Sequence, residues 1–235
     1  MSWNTCLFCY AQERGGTFFG LQQETNFGLQ QEPYEGSLLL EDPKGQILIS
    51  TKVTYSGRYG TNRDISVAVR AALERPYTLR VKKQSALQEG VNTVLDGLDL
   101  GARILGKKTD LSPDYGAPEL ADDRGIKTNE PEFTRWVLQS RELRAVLDAN
   151  PSFWFQVGPT GPEGLDHLVE ARVPLDWHID IQEEPLDRYG RPLKWERQKA
   201  YYRNSSFPKQ LDALVELARA ARDAVTAWPM PMRTP

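Results

Sequence analysis

The stretch LVEARVPLDWHIDIQ, residues 168 to 182, constrains the fold more than any other part of the chain. Val169, Ala171, Val173, Leu175, Trp177, Ile179 and Ile181 recur at every second position, the side-chain repeat of a β-strand with one buried face. A strand cannot stand alone, because its backbone N–H and C=O groups need partners. The chain must therefore build a sheet, and Pro174, on the opposite face, favours an edge position or a bend there.

Partners for that strand are legible upstream. In GSLLLEDPKGQILIST two apolar runs flank the turn Asp42-Pro43-Lys44-Gly45, a hairpin signature. After the polar turn SGRYGTNR, DISVAVRAAL alternates Ile65, Val67 and Val69, and PYTLRVKK alternates Tyr77, Leu79 and Val81. A four-stranded antiparallel meander is the simplest arrangement of these runs. SFWFQV, from residue 152, adds a further strand, and His167, on the parity of Val169, is expected inside as a core histidine with satisfied ring nitrogens or as a strand-end residue.

Helical periodicity appears in three places. SALQEGVNTVLDGLDLGARILG spaces Leu87, Val91, Val94, Leu95 and Leu98 for a helix that Gly90 and Gly97 weaken. Between residues 126 and 151, Asn129 and Glu132 suggest a capping box with Pro131 in the first turn. Ser140 with Glu142 suggests a restart, and Asn150-Pro151 a stop. The C-terminal SSFPKQLDALVELARAARDAVTAW carries Leu211, Leu214, Ala218, Ala221 and Val225 as an apolar stripe behind a Ser205 or Ser206 cap. KKTDLSPDYGAPELADDRG, rich in Pro, Gly and Asp, reads as a long surface loop.

The class is thus α+β, with an antiparallel sheet or sheets and packed helices. Its organisation reads as an N-terminal segment (1–35), a strand-rich part with one helix (36–109), and a part with helices, strands and the C-terminal helix (110–235). The last two form either two similar βα halves or one continuous domain. The N-terminal segment repeats FGLQQE from Phe19 and again from Phe27. Two copies cannot stack into a solenoid, and nothing in them is chemically reactive. The repeat reads as a duplication tolerated in a hairpin or irregular cover.

The stretch from Asp114 to Leu147 resembles a pattern found in a family of uncharacterised bacterial proteins, a domain of unknown function. The matching positions are Ile126, Thr128, Asn129, Phe133, Val137, Leu138, Glu142, Leu143 and Leu147. The likeness is strongest over residues 114 to 158 and runs loosely from Leu38 to Trp228, excluding the repeat. It implies the order strand, turn, helix, strand, C-terminal helix, and no chemistry.

Charge narrows the functional classes. With 29 basic and 32 acidic residues the net charge is −3, so no global field selects a nucleic acid or an anionic membrane, and such binding must be local. One segment supplies a local field. RYGRPLKWERQKAYYRN places Arg188, Arg191, Lys194, Arg197, Lys199 and Arg203 beside Tyr189, Trp195, Tyr201 and Tyr202, against Glu196 alone. Basic and aromatic residues together suit phosphate contact with base stacking, or adsorption to an anionic lipid surface. The competing arrangement is a solvated loop whose aromatics pack inward and whose arginines pair with acids.

Two further constellations carry chemistry. On a strand Asp176, His178 and Asp180 point to one face at a spacing of about 7 Å, a donor set for a divalent metal or a base with its orienter. Cys6 and Cys9, the only cysteines, have the C-x-x-C spacing of half a zinc site, which a homodimer would complete with four thiolates. The alternative for both is packing, since free cysteine behaves as a small hydrophobe. No apolar run reaches the length of a membrane helix and the N-terminus lacks a basic leader, which sets a cytoplasmic expectation. G-x-x-x-x-G-K-[ST], G-x-S-x-G, H-E-x-x-H and G-x-G-x-x-G do not occur. The expectation is therefore a non-enzymatic interaction module contacting an unidentified protein or an anionic partner through residues 188 to 204. No cofactor is expected unless zinc binds at the cysteines, and a metal-dependent hydrolase built on Asp176, His178 and Asp180 is the alternative.

Overall fold

The computed structural model describes residues 3–20, 36–55, 61–83, 115–160, 165–174, 188–191 and 195–227. In chain order the elements are α1 (Trp3–Arg14), β1 (Thr17–Phe19), β2 (Ser37–Asp42), β3 (Gly45–Tyr55), β4 (Thr61–Ala72) and β5 (Leu79–Lys83). Then come α2 (Pro118–Asp123), β6 (Arg124–Thr128), α3 (Pro131–Val137), α4 (Arg141–Ala149), β7 (Trp154–Pro159), β8 (Asp166–Pro174), α5 (Trp195–Asn204) and α6 (Phe207–Thr226). The eight strands form one antiparallel sheet in the order β1-β2-β3-β4-β8-β7-β5-β6.

The β2–β3 hairpin forms as expected. Asp42 pairs with Gly45 across the turn, and Asp42 accepts the Lys44 backbone N–H at 3.3 Å. Gly45 has φ +123°, a backbone region closed to residues with a Cβ. The meander is shorter than expected, because β5 leaves β4 and inserts between β7 and β6. The free edge of β4 is taken by β8 over nine residue pairs, Asp64–Pro174 to Ala72–Asp166. Alternation shows which residues form strands but carries no information on which strand lies next to which. Pro174 is likewise not on an edge strand: β8 is interior and Pro174 is its last residue, where a missing N–H disrupts least. The sheet interleaves strands from both sides of residue 110.

One face of the sheet carries Ile47, Ile49, Ile65, Val67, Val69, Val169, Ala171 and Val173, all buried. Helix α6 packs on β4 and β8 and presents the foreseen stripe of Leu211, Leu214, Ala218, Ala221 and Val225 to the core. Each fully buried aliphatic side chain contributes about 1.5 to 3 kcal/mol relative to exposure. At the far end of α6, Arg222 donates to Asp42 at 2.7 Å and Arg219 donates to the other oxygen of Asp42 at 2.9 Å, tying the helix to the β2–β3 turn.

Local punctuation is partly as read. Ser140 caps α4 by accepting the Leu143 N–H, and Asn150 ends it. Asn129 does not cap α3. Its side chain accepts the Thr78 N–H at 2.8 Å and donates to Pro76 O at 3.2 Å, fastening the entry to β5, while Glu130 occupies the cap position. Ser206 stands at the cap of α6 without a side-chain bond, and Ser205 instead donates to Tyr202 O at 2.6 Å. The presumed surface loop contains α2, with Tyr115, Ala117 and Leu120 buried. Arg124, also buried, donates to the carbonyls of Leu147 and Phe153 at the end of α4 and the start of β7, a side-chain solution to the orphan acceptors of a helix C-terminus.

The N-terminal segment opens with a helix, and most of the repeat read as part of a hairpin or irregular cover lies outside the described residues. In α1 the buried residues Trp3, Cys6, Leu7, Tyr10 and Ala11 follow the i, i+3, i+4 spacing of a helical stripe. Tyr10 donates to Asp212 at 2.7 Å and Arg14 binds the same carboxylate, so α1 is pinned to α6. β1 then pairs with β2, which takes in Phe19 at the start of the first FGLQQE copy. The second copy and the helix read over 85–106 lie outside the described residues. Among the described residues no helix is long and apolar enough to cross a membrane.

Candidate functional site

The residues singled out by sequence fall into different situations. Asp176, His178, Asp180 and Lys194 lie outside the described residues. Trp195, Arg197 and Tyr201 fall on the backbone of α5. Arg188, Tyr189, Gly190 and Arg191 form a surface turn in which Gly190 takes φ +73°. The two guanidinium groups lie 4.7 and 5.8 Å from the centre of the Tyr189 ring, which is 66% exposed.

The end of the segment is committed to the fold. Tyr202 is buried and packs its ring 6.0 Å from Phe207, and Arg203 donates to Glu13 of α1 at 2.7 Å. Tyr202 is thus a core residue, not a contact residue, and the charge of Arg203 is balanced. The reason is that α5 lies against α1 and α6, which buries Tyr202 while Arg203 stays on the surface, its side chain 64% exposed.

Cys6 and Cys9 are free and buried. Burial pushes their thiols up to about 12 and about 11 respectively, and Glu13 adds to the effect at Cys9. A protonated thiol is a poor nucleophile. To meet thiols of a second copy they would have to leave the core. Among the described residues no three His, Cys, Asp or Glu side chains gather as a metal site. His167 is the foreseen core histidine. Its Nε2 accepts the Tyr77 N–H at 2.9 Å and its Nδ1 lies 2.9 Å from Leu165 O, which fixes the Nδ1–H tautomer.

A cluster that sequence reading missed lies on the face of the sheet opposite α6. Register places Ser66, Arg172 and Trp154 side by side on β4, β8 and β7, and Glu170, Gln156, Arg80 and Lys127 side by side in the next row. Arg80, Lys82 and Arg172 surround the Trp154 ring with their charged ends 5.4, 5.2 and 5.0 Å from its centre, and Trp154 is 4% exposed. Glu170 accepts from Arg172 and from Gln156, both at 2.5 Å. A cleft of about 420 Å³ bordered by Arg80, Lys127, Asn129, Gln156 and Gly158 adjoins the second row.

This arrangement runs against the usual pairing rules of sheets. Arg80 and Lys127 are direct cross-strand neighbours, and like charges in that relation are unfavourable. Burial lowers the pKa of the Lys82 ammonium and the Arg80 charge adds to the effect, with Asp64 opposing it and Arg172 reinforcing it. The tryptophan offsets part of the repulsion through the negative face of its ring. Ser66 Oγ and Arg172 Nε, both buried, have no hydrogen-bond partner among the described residues. Parity puts Arg80, Lys82 and Arg172 opposite the inward Leu79, Val81, Ala171 and Val173, and the strand order brings them to Trp154.

No protein-family model, no curated protein and no solved structure matches this chain.

Proposed function

We propose that this chain is a non-enzymatic binding module for an anionic partner, read by the sheet face around Trp154. The observation that carries it is the concentration of Arg80, Lys82, Lys127 and Arg172 on β5, β6 and β8 about Trp154 of β7, with Arg80 opposite Lys127 and three cations about one ring. Cations gathered on one face create a positive local field that attracts an anion. An anion laid over the face turns the repulsion into attraction.

Access favours a narrow partner. The Arg172 side chain is 15% exposed and Lys82 is half-buried, so a planar lipid surface, which meets only the groups that project farthest, reaches few of these charges. A flexible chain of phosphates reaches them, and single-stranded nucleic acid is the partner this favours.

The test is fluorescence anisotropy of a labelled single-stranded oligonucleotide across a salt series. Three phosphate contacts, at Arg80, Lys82 and Lys127, give a slope of log K against log salt of about −2, and Arg80→Ala with Lys127→Ala reduces it by about 1.4. A folded double variant with unchanged slope and affinity refutes the assignment of this face. Binding to vesicles of anionic lipid with none to the oligonucleotide replaces the nucleic acid by a membrane.

A further inference from the structure

We infer that Ser66 Oγ and Arg172 Nε form a clamp for one phosphate-type oxyanion on this face, with Lys82 as the charge beside it. The inference deepens the anionic-partner reading and rests on it for the choice of ligand.

Ser66 and Arg172 are directly paired on β4 and β8, and side chains in that relation stand roughly 5 Å apart at Cβ. Ser66 is 1% exposed, and both its hydroxyl and the Arg172 Nε lack partners among the described residues. Buried donors without acceptors are rare in folded proteins. The two stand on paired residues of adjacent strands, so one oxyanion can accept from both.

The guanidinium is held in place by a carboxylate. Arg172 Nη2 donates to Glu170, and Glu170 also accepts from Gln156, so the guanidinium is anchored through Nη2 while its Nε–H has no acceptor among the described residues. Trp154, opposite Arg172 on β7 and beneath its charge, walls the site on the next strand and keeps the dielectric low, which strengthens charge-assisted bonds. An oxyanion there accepts from a hydroxyl and a guanidinium N–H while balancing Lys82. A tetrahedral phosphate has oxygens for all three.

The experiment is a titration of the full-length, nitrogen-15-labelled chain with inorganic phosphate, sodium chloride of equal ionic strength serving as control. The Arg172 Nε–H resonance is followed and identified by its loss in Arg172→Lys. The expected result is a saturable shift with a dissociation constant on the order of millimolar. Ser66→Ala weakens it about fivefold, the effect of one hydrogen bond, and Ser66→Thr restores it. Ser66→Ala unfolds at or above the parent's urea midpoint, since it removes an unpaired buried hydroxyl, so loss of binding is not loss of fold. An unmoved Arg172 resonance, or an identical titration in Ser66→Ala, overturns the clamp. If the oligonucleotide still binds with its salt slope while phosphate leaves Arg172 unmoved, the clamp falls and the wider reading stands. If phosphate titrates Arg172 in a Ser66-dependent way and the oligonucleotide does not bind, the clamp stands without the nucleic-acid reading.

Discussion

Replacing Asp42 by Asn tests the junction between the β2–β3 turn and α6. The Asp42 side chain is 3% exposed and the Arg222 side chain 6%, with 2.7 Å between their bonded atoms. The exchange keeps shape and removes charge, leaving a buried guanidinium whose remaining acidic contact is Asp223 at 3.0 Å, itself 44% exposed. Removing one partner of a buried pair costs about 3 to 5 kcal/mol. The surviving Asp223 contact places this case near the lower end, about 3 kcal/mol. With a urea slope of about 2 to 3 kcal/mol/M for a chain of this size, the midpoint of unfolding drops by roughly 1 M. Asp42→Asn combined with Arg222→Met recovers much of the loss, because no charge is then left buried alone. A loss below about 1 kcal/mol in the single variant refutes the argument that the pair is isolated from solvent. Acid titration provides a second reading. Burial alone raises the Asp42 pKa, but the Arg222 hydrogen bond, the Lys44 N–H and the Arg222 and Arg219 charges outweigh it and hold the carboxyl below its ordinary value. Between the folded and unfolded pKa the unfolded chain binds more protons, so stability rises with pH there. The parent's advantage over Asp42→Asn is therefore full above about pH 4, the unfolded carboxyl value, and fades as pH falls through the lower folded pKa.

Two further outcomes follow from the interior. His167→Leu orphans the Tyr77 N–H and the Leu165 carbonyl and is expected to lower stability by about 3 kcal/mol, measured by urea unfolding; a loss under 1 kcal/mol would mean that water replaces the imidazole. Cys6 and Cys9 are expected to resist a thiol-specific disulfide reagent at pH 8 in the folded chain and to react fully in denaturing urea. Rapid reaction of either thiol in the folded state contradicts their burial.

Elements whose signal is periodic were legible from sequence: the stripe of α6, the alternation of β4 and β8, the inward His167 and the Ser140 cap. What failed was relational. The alternation of Leu79 and Val81 identifies β5 but not its insertion between β7 and β6, which depends on pairings far apart in sequence. The same limit hid the candidate site, since Arg80, Trp154 and Arg172 meet only because β5, β7 and β8 are neighbours. α1 has a stripe in Trp3, Cys6, Leu7, Tyr10 and Ala11, but Asn4, Thr5 and Cys9 are buried as well, so no sharply polar side marks the helix. Asn129 was a plausible cap by composition, yet a bond to another strand outcompeted the local one.

The pairing of β4 with β8 also has a consequence for synthesis. The hairpin strands β2, β3 and β4 leave the ribosome well before residues 166–174, and at about 5 to 20 residues per second the wait for some hundred residues lasts roughly 5 to 20 s. Throughout that interval the edge of β4 shows unpaired backbone groups beside Ile65, Val67 and Val69, the kind of edge that recruits strands from other chains. The hazardous species for this protein is the unfinished polypeptide, and a truncation ending before β8 makes that species permanent.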